Sequence, residues 1–264
     1  MENRSVKEFI GEVFGTFILI LLGDGVVANV GLAPRLAGTA YNWNTITIGW
    51  AFAVIIAVYV SAGVSGAHLN PAVTVGLAVQ RGFPWKKVLP YIAAQMIGAF
   101  LGALAVFLIY RDGLVAAGMP NVWSTGPGSV FGSTFWGGAG AGGAGAPYSM
   151  VTAIIAEIFG TFILVWGISA SGDLRNNGLK DNLGALIVGF SVLAVGLSLG
   201  GPSGYSINPA RDLGPRILGL LVGTKGLFDG LYWLIPPVLA PLVAAPIGFW
   251  LYDFLVSKNL PKKD

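Results

Sequence analysis

Cysteine is absent from the chain, which excludes disulfides, thiolate metal sites and thiol catalysis and leaves the redox compartment unread. Histidine occurs once, as His68. No Ser/His/Asp set, metal-ligand cluster or Gly-rich loop ahead of a GK[ST] is present, so an enzyme reading has little to stand on, and no cofactor or metal is expected. Charge is scarce as well: 10% of residues are Asp, Glu, Lys or Arg, against about a quarter in soluble domains. What replaces them is apolar, with a hydrophobic fraction of 55% and a mean hydropathy of +0.75. The net charge of +3 then calls for a topological reading, and no nucleic-acid partner is implied.

The apolar residues come in long blocks. A spanning helix needs about 20 of them to cross roughly 30 Å of hydrocarbon. The blocks predict six spans at 6–30, 45–64, 87–110, 150–171, 183–199 and 231–255. No cleavage pattern follows the first, which is expected to be retained. Two apolar stretches, 71–80 and 209–222, are too short to span and follow Gly/Ser-rich segments, so they are expected to be re-entrant. With the N-terminus inside, Arg4, Lys7, Arg81, Lys86, Lys87, Arg175, Lys180, Lys258, Lys262 and Lys263 fall on the inner side. Arg35, Arg111, Arg211, Arg216 and Lys225 fall outside. This bias predicts both termini cytoplasmic in a multi-pass protein, and the lack of a transit-peptide pattern with the short, basic C-terminal tail suggests a bacterial plasma membrane. Trp43, Trp85, Tyr110, Trp123 and Trp233 are expected near the headgroups.

Gly11-Glu12-Val13-Phe14-Gly15-Thr16-Phe17-Ile18-Leu19 recurs as Ala156-Glu157-Ile158-Phe159-Gly160-Thr161-Phe162-Ile163-Leu164, and Asn70-Pro71-Ala72 recurs as Asn208-Pro209-Ala210. Three spans per half mean that the second half enters from the opposite side. The expected fold is therefore an all-α membrane protein, six transmembrane helices plus two re-entrant half-helices in an inverted repeat, forming one domain over 1–264. Its parts are a first half (1–110), a Gly/Ala-rich extracellular connection (111–149, with 137–146 low in complexity) and a second half (150–264). Small residues four apart, Gly11 and Gly15, Gly98 and Gly102, Gly196 and Gly200, suit close helix approach.

Asn fits the N-cap and Pro the first helical position. Two such helix starts, inverted, would bring two partial positive charges together near the midplane. The preceding backbone must line a cavity, because its polar groups cannot face lipid. Gly66, Ala67, His68, Gly204, Tyr205 and Ser206 are the candidates to present carbonyls, and Asn70 and Asn208 to present amides. Glu12 and Glu157 are expected to brace these loops by accepting N–H groups, and His68 to brace the first loop or to gate. Asp24 and Asn29 are expected to line a vestibule, and Pro215 to bend the second half-helix.

Ser65-Gly66-Ala67-His68-Leu69-Asn70-Pro71-Ala72-Val73-Thr74 and Gly204-Tyr205-Ser206-Ile207-Asn208-Pro209-Ala210-Arg211-Asp212 resemble the major intrinsic protein (aquaporin) family over nearly the whole chain. Asp212 as branch marker, Arg216 and Pro237-Val238 resemble its glycerol facilitator (aquaglyceroporin) branch. The resemblance implies an aquaporin-like right-handed bundle and a homotetramer with a pore in each subunit. It also implies a selectivity filter of Trp50, Gly196, Tyr205 and Arg211, with Gly196 leaving room and Tyr205 standing where some facilitators have Phe. Arg supplies donors to hydroxyls while Trp and Tyr accept a carbon chain. The function implied is passive passage of glycerol and other small uncharged solutes, with water, dihydroxyacetone and a protonated small acid as further candidates, through a lipid bilayer, ions and protons being refused. The rivals are a water-selective channel and a proton-coupled transporter working through Glu12, Glu157 or Asp24.

Overall fold

The computed structural model describes residues 2–32, 42–126, 148–176 and 182–261. Arg35, Lys180, Lys262, Lys263 and the low-complexity stretch 137–146 lie outside the described residues. The helices are α1 (Glu2–Leu32), α2 (Trp43–Ser65), α3 (Pro71–Gln80), α4 (Trp85–Ala116), α5 (Met150–Gly172), α6 (Gly184–Leu199), α7 (Pro209–Val222) and α8 (Ala240–Leu255), the last continuing a π-helical turn at Ile235–Leu239. Five of these are long and apolar enough to cross a membrane: α1, α2, α4, α5 and the π turn with α8. Helix α6, predicted as a span, has 16 residues and thus a length of roughly 24 Å. The two short helices occupy the predicted ranges.

Apolar side chains cover the outside of the bundle as well as filling its core. On α1 the exposed face carries Val6, Ile10 and Phe14, and on α5 the repeat-related Val151, Ile155 and Phe159. The opposite faces bury Glu12 and Thr16, and Glu157 and Thr161, with no exposure at all. Large apolar side chains cost nothing against lipid, whereas polar ones require protein partners.

Packing repeats with the halves exchanged. Helix α1 packs on α2 and α4, α5 packs on α6 and α8, and α2 meets α6 across the halves. Each half-helix leans on the last span of the other half, α3 on α8 and α7 on α4. Gly76 and Gly214, six residues after the two asparagines, allow this. A Cβ on Gly76 would strike Phe249, and one on Gly214 would strike Ala99. Gly98 and Gly102 likewise let α4 close on the backbone of α1.

One local expectation changes. Trp123 is fully buried, donating its indole N–H to Thr224 Oγ1 at 3.0 Å, so it is not a headgroup residue. Helix α7 continues through Pro215. An irregularity lies at the start of the last span, where Pro236, Pro237 and Pro241 withhold N–H groups and the chain takes i→i+5 bonds such as Leu239 N to Leu234 O at 3.0 Å. Arg211 and Arg216 are buried side chains of α7.

Candidate functional site

Both segments that precede a half-helix share one irregular conformation. Gly66, Ala67 and Leu69 have φ of 86°, 50° and 51°, and Gly204, Tyr205 and Ile207 have 84°, 42° and 46°. Left-handed backbone at non-glycine residues is strained and needs outside support. The buried glutamates supply it. Glu12 accepts the N–H groups of His68 and Leu69 at 3.0 and 2.8 Å, and Glu157 those of Ser206 and Ile207 at 2.7 and 2.6 Å. Ser65 Oγ and Gln95 Nε2 complete the first site at 2.6 and 2.7 Å, and Gln95 also reaches Thr74 Oγ1.

With their N–H groups engaged on one side, the carbonyls of Gly66, Ala67, His68, Gly204, Tyr205 and Ser206 accept no protein hydrogen bond among the described residues. Unpaired carbonyls need water or solute, and so does the space they face. A cavity of about 550 Å³ runs beside them, lined by Gly66, Ala67, His68, Tyr205 and Ser206 together with Leu19, Val54, Val58, Leu164 and Val192 among others. Gly204 belongs to a second, smaller space of about 40 Å³ together with Trp43, Ile46 and Thr125.

The half-helices meet at their N-termini. Asn70 Oδ1 caps α3 through Ala72 N at 2.8 Å, and Asn208 Oδ1 caps α7 through Ala210 N at 3.0 Å. Each amide then donates across to the other half, Asn70 Nδ2 to Ile207 O and Asn208 Nδ2 to Leu69 O, both at 2.8 Å. A carboxamide has two N–H donors, so one remains on each asparagine, and both residues line the cavity.

Trp50, Tyr205 and Arg211 border both the large and the small space, and so form the partition between them. The Arg211 guanidinium lies 3.9 Å from the centre of the Trp50 ring, a cation–π contact. Gly196 does not line either space. A Cβ there would meet the Tyr205 ring and Thr47, so the glycine leaves room for Tyr205 rather than directly for a solute. Tyr205 is held edge-on by Trp43 at 5.5 Å, and Trp43 donates its indole N–H to Gly196 O at 2.9 Å.

Asp212 points away from the partition. It accepts from Arg216 Nε at 2.8 Å and from Thr125 N and Oγ1 at 2.8 and 2.6 Å, while Arg216 also bonds Thr125 O and Leu227 O. This tie pins the segment leading to Gly126 and the one after α7 against the second half-helix. His68 shares a hydrogen bond with Thr74 Oγ1 at 3.1 Å and packs on Phe83 and Tyr91. Gln95, Thr125 and Trp43 were not singled out in the sequence for these roles. Gln95 carried a usable signal, an amide inside an apolar span, while Thr125 and Trp43 did not. Asp24 is fully buried and lines neither space, so it is not a vestibule residue. Among the described residues no group of His, Asp and Glu could hold a metal ion.

The family model described as "Major intrinsic protein" matches residues 1–252. The chain belongs to that family. Family relatives include glycerol uptake facilitator protein 3 of Lactiplantibacillus plantarum, 42% identical over 265 residues that cover 97% of this chain and 99% of that one. The glycerol uptake facilitator protein of Streptococcus pneumoniae is 41% identical over 255 residues, 94% of this chain and 99% of that one. Among solved family structures, the aquaglyceroporin from Plasmodium falciparum superposes with a TM-score of 0.83 at 33% identity, covering 96% of this chain and 98% of that one. The fold is the aquaporin fold, and the protein is a multi-pass membrane protein.

Proposed function

We propose that this chain is a passive channel, not an enzyme, that lets glycerol and other small uncharged solutes equilibrate across the plasma membrane, and that Trp50, Gly196, Tyr205 and Arg211 are its selectivity filter. The observation that carries the reading is a cavity lined both by the loop residues whose carbonyls accept no protein hydrogen bond and by aliphatic side chains, and bordered by Trp50, Tyr205 and Arg211. A polyol is amphipathic in the same sense. Its hydroxyls replace water on the carbonyls and on Arg211, and its carbon chain lies against Trp50 and the aliphatic wall. Water alone would leave that wall unused. The facilitator and aquaglyceroporin names of the relatives support the same solute class.

In this reading Asn70 and Asn208 offer their remaining N–H donors at mid-channel, with Pro71, Ala72, Pro209 and Ala210 holding the helix starts. Gly66, Ala67, His68, Gly204, Tyr205 and Ser206 supply the acceptor ladder, Glu12 and Glu157 brace it, and Asp212 marks the facilitator branch. Two helix N-termini place positive partial charge in the path and oppose cations, a mechanism general to aquaporin-type pores. The proposal extends to the two halves at 1–110 and 150–264 with an extracellular connection, to cytoplasmic termini and to a homotetramer. The excess of Lys and Arg at the span ends on the N-terminal side supports the orientation.

Stopped-flow light scattering on proteoliposomes tests it. Wild-type protein is expected to equilibrate glycerol rapidly without saturation. Gly196→His should abolish that flux by driving Tyr205 into the passage, and Arg211→Ala should blunt discrimination among solutes. Water flux without glycerol flux in the wild type would move the chain to the water-selective reading.

A further inference from the structure

Asp24 has no part in the channel described so far, yet it is a fully buried acid of α1. Its side chain has no exposure, and neither carboxylate oxygen has a hydrogen-bond partner among the described residues. A charge taken out of water must find a counter-charge. One lies close by: Arg211 Nη1, 3.7 Å from Asp24 Oδ1 and itself without a hydrogen-bond acceptor. The neighbouring acid cannot serve Arg211, because Asp212 is occupied by Arg216 and Thr125. Arg216 in turn is spent on Asp212, Thr125 O and Leu227 O.

The geometry separates Asp24 from the solute. Trp50 and Arg211 border both spaces of the passage, and Asp24 borders neither. Trp50 covers the guanidinium at 3.9 Å, and α1 is fitted to the same ring, since a Cβ on Gly23 would strike it. Arg211 therefore meets the passage with some of its five N–H donors while its Nη1 side is turned to a carboxylate.

We propose that Asp24 is the counter-ion that cancels the charge of Arg211 at the constriction, so that the narrowest part of the passage presents hydrogen-bond donors without net charge and refuses small anions as well as cations. An uncompensated guanidinium in a water-poor constriction attracts anions, and rings of Arg or Lys are how anion pores are built. Asp24 is a positioning residue, acting only through Arg211. The inference rests on the reading of Trp50, Tyr205 and Arg211 as the constriction.

The test uses proteoliposomes in which glycerol flux and nitrate flux are read from the same preparation. Nitrate entry is driven by a potassium nitrate gradient with valinomycin present. Wild type should pass glycerol and exclude nitrate. Asp24→Asn, nearly the same in shape but without the charge, should raise nitrate flux at least about tenfold. The double variant Asp24→Asn with Arg211→Gln, neutral again, should return nitrate to the wild-type level even though its filter is altered. A merely structural Asp24 would move glycerol flux and protein stability without admitting nitrate. Glycerol flux present with nitrate excluded in Asp24→Asn would overturn the inference and leave the channel reading standing, as would nitrate flux in the double variant equal to that in the single. Wild-type vesicles that pass no glycerol would overturn both. If Asp24→Asn yields no folded protein, the double variant decides: recovery of folded protein supports the pairing, and no recovery overturns it.

Discussion

Glu12 and Glu157 show how a carboxylate inside a membrane span can be structural. Each accepts two consecutive backbone N–H groups from a loop held in left-handed conformation, and neither faces the cavity. Replacing Glu157 by Gln keeps the volume but can turn an amide N–H toward a backbone N–H. The variant should lose about 2 kcal/mol of stability, read as a lower melting temperature in detergent, while glycerol still moves only down its gradient. Outside the spans, the Arg175 guanidinium beside Asp173 holds that carboxyl down at about 2, below its ordinary 3.8, with Ser257 as a further donor. Because the folded value is depressed, the stabilisation is complete above the ordinary value and is lost as pH falls through the folded one. Wild type should therefore lose stability between about pH 4 and pH 2 relative to Asp173→Asn, whose melting curve lacks this contribution.

Helices α3 and α7 are each too short to cross a bilayer, and they work only as a pair. Their ends were legible in the sequence, since Asn-Pro states an N-cap and a first turn in two residues. Their tie was not: that Asn70 bonds Ile207 O and Asn208 bonds Leu69 O depends on residues of the opposite half. Asn208→Asp separates the two roles, because the carboxylate still caps α7 but cannot donate to Leu69 O. The expected result is a loss of about 1–3 kcal/mol in stability together with a slower glycerol flux, measured by thermal unfolding and by light scattering on one preparation. The π turn at Ile235–Leu239 was also hidden. Three prolines announce missing N–H groups, but where the freed carbonyls go depends on neighbours, and Pro237 O is taken by Ser206 Oγ at 3.4 Å.

At the scale of the molecule, the exchange of half-helices between halves closes a single bundle around one passage. Nothing in this packing requires an energy source. In vesicles with an imposed proton gradient, labelled glycerol should equilibrate to equal concentration inside and outside and no further, measured by rapid filtration. Accumulation beyond equality would revive the proton-coupled reading, and Glu157→Gln would then abolish it. The lipid-facing residues Val6, Ile10, Phe14, Val151, Ile155 and Phe159 belong to this scale too, because their exposure makes sense only in a bilayer or against other subunits.

By itself the sequence determined the order of the helices among the described residues, the inverted repeat, the two short helices and the family, because hydrophobic length, Asn-Pro starts and duplicated motifs are local along the chain. Only the tertiary structure decided what the buried polar residues do. Gly196 stands behind the Tyr205 ring and Thr47 and borders neither space. Trp123 leaves the headgroup belt for the interior, and Asp24 becomes the neighbour of Arg211 instead of a vestibule residue. In each case the deciding partner lies far away in sequence, and a buried polar or aromatic group takes its role from that partner.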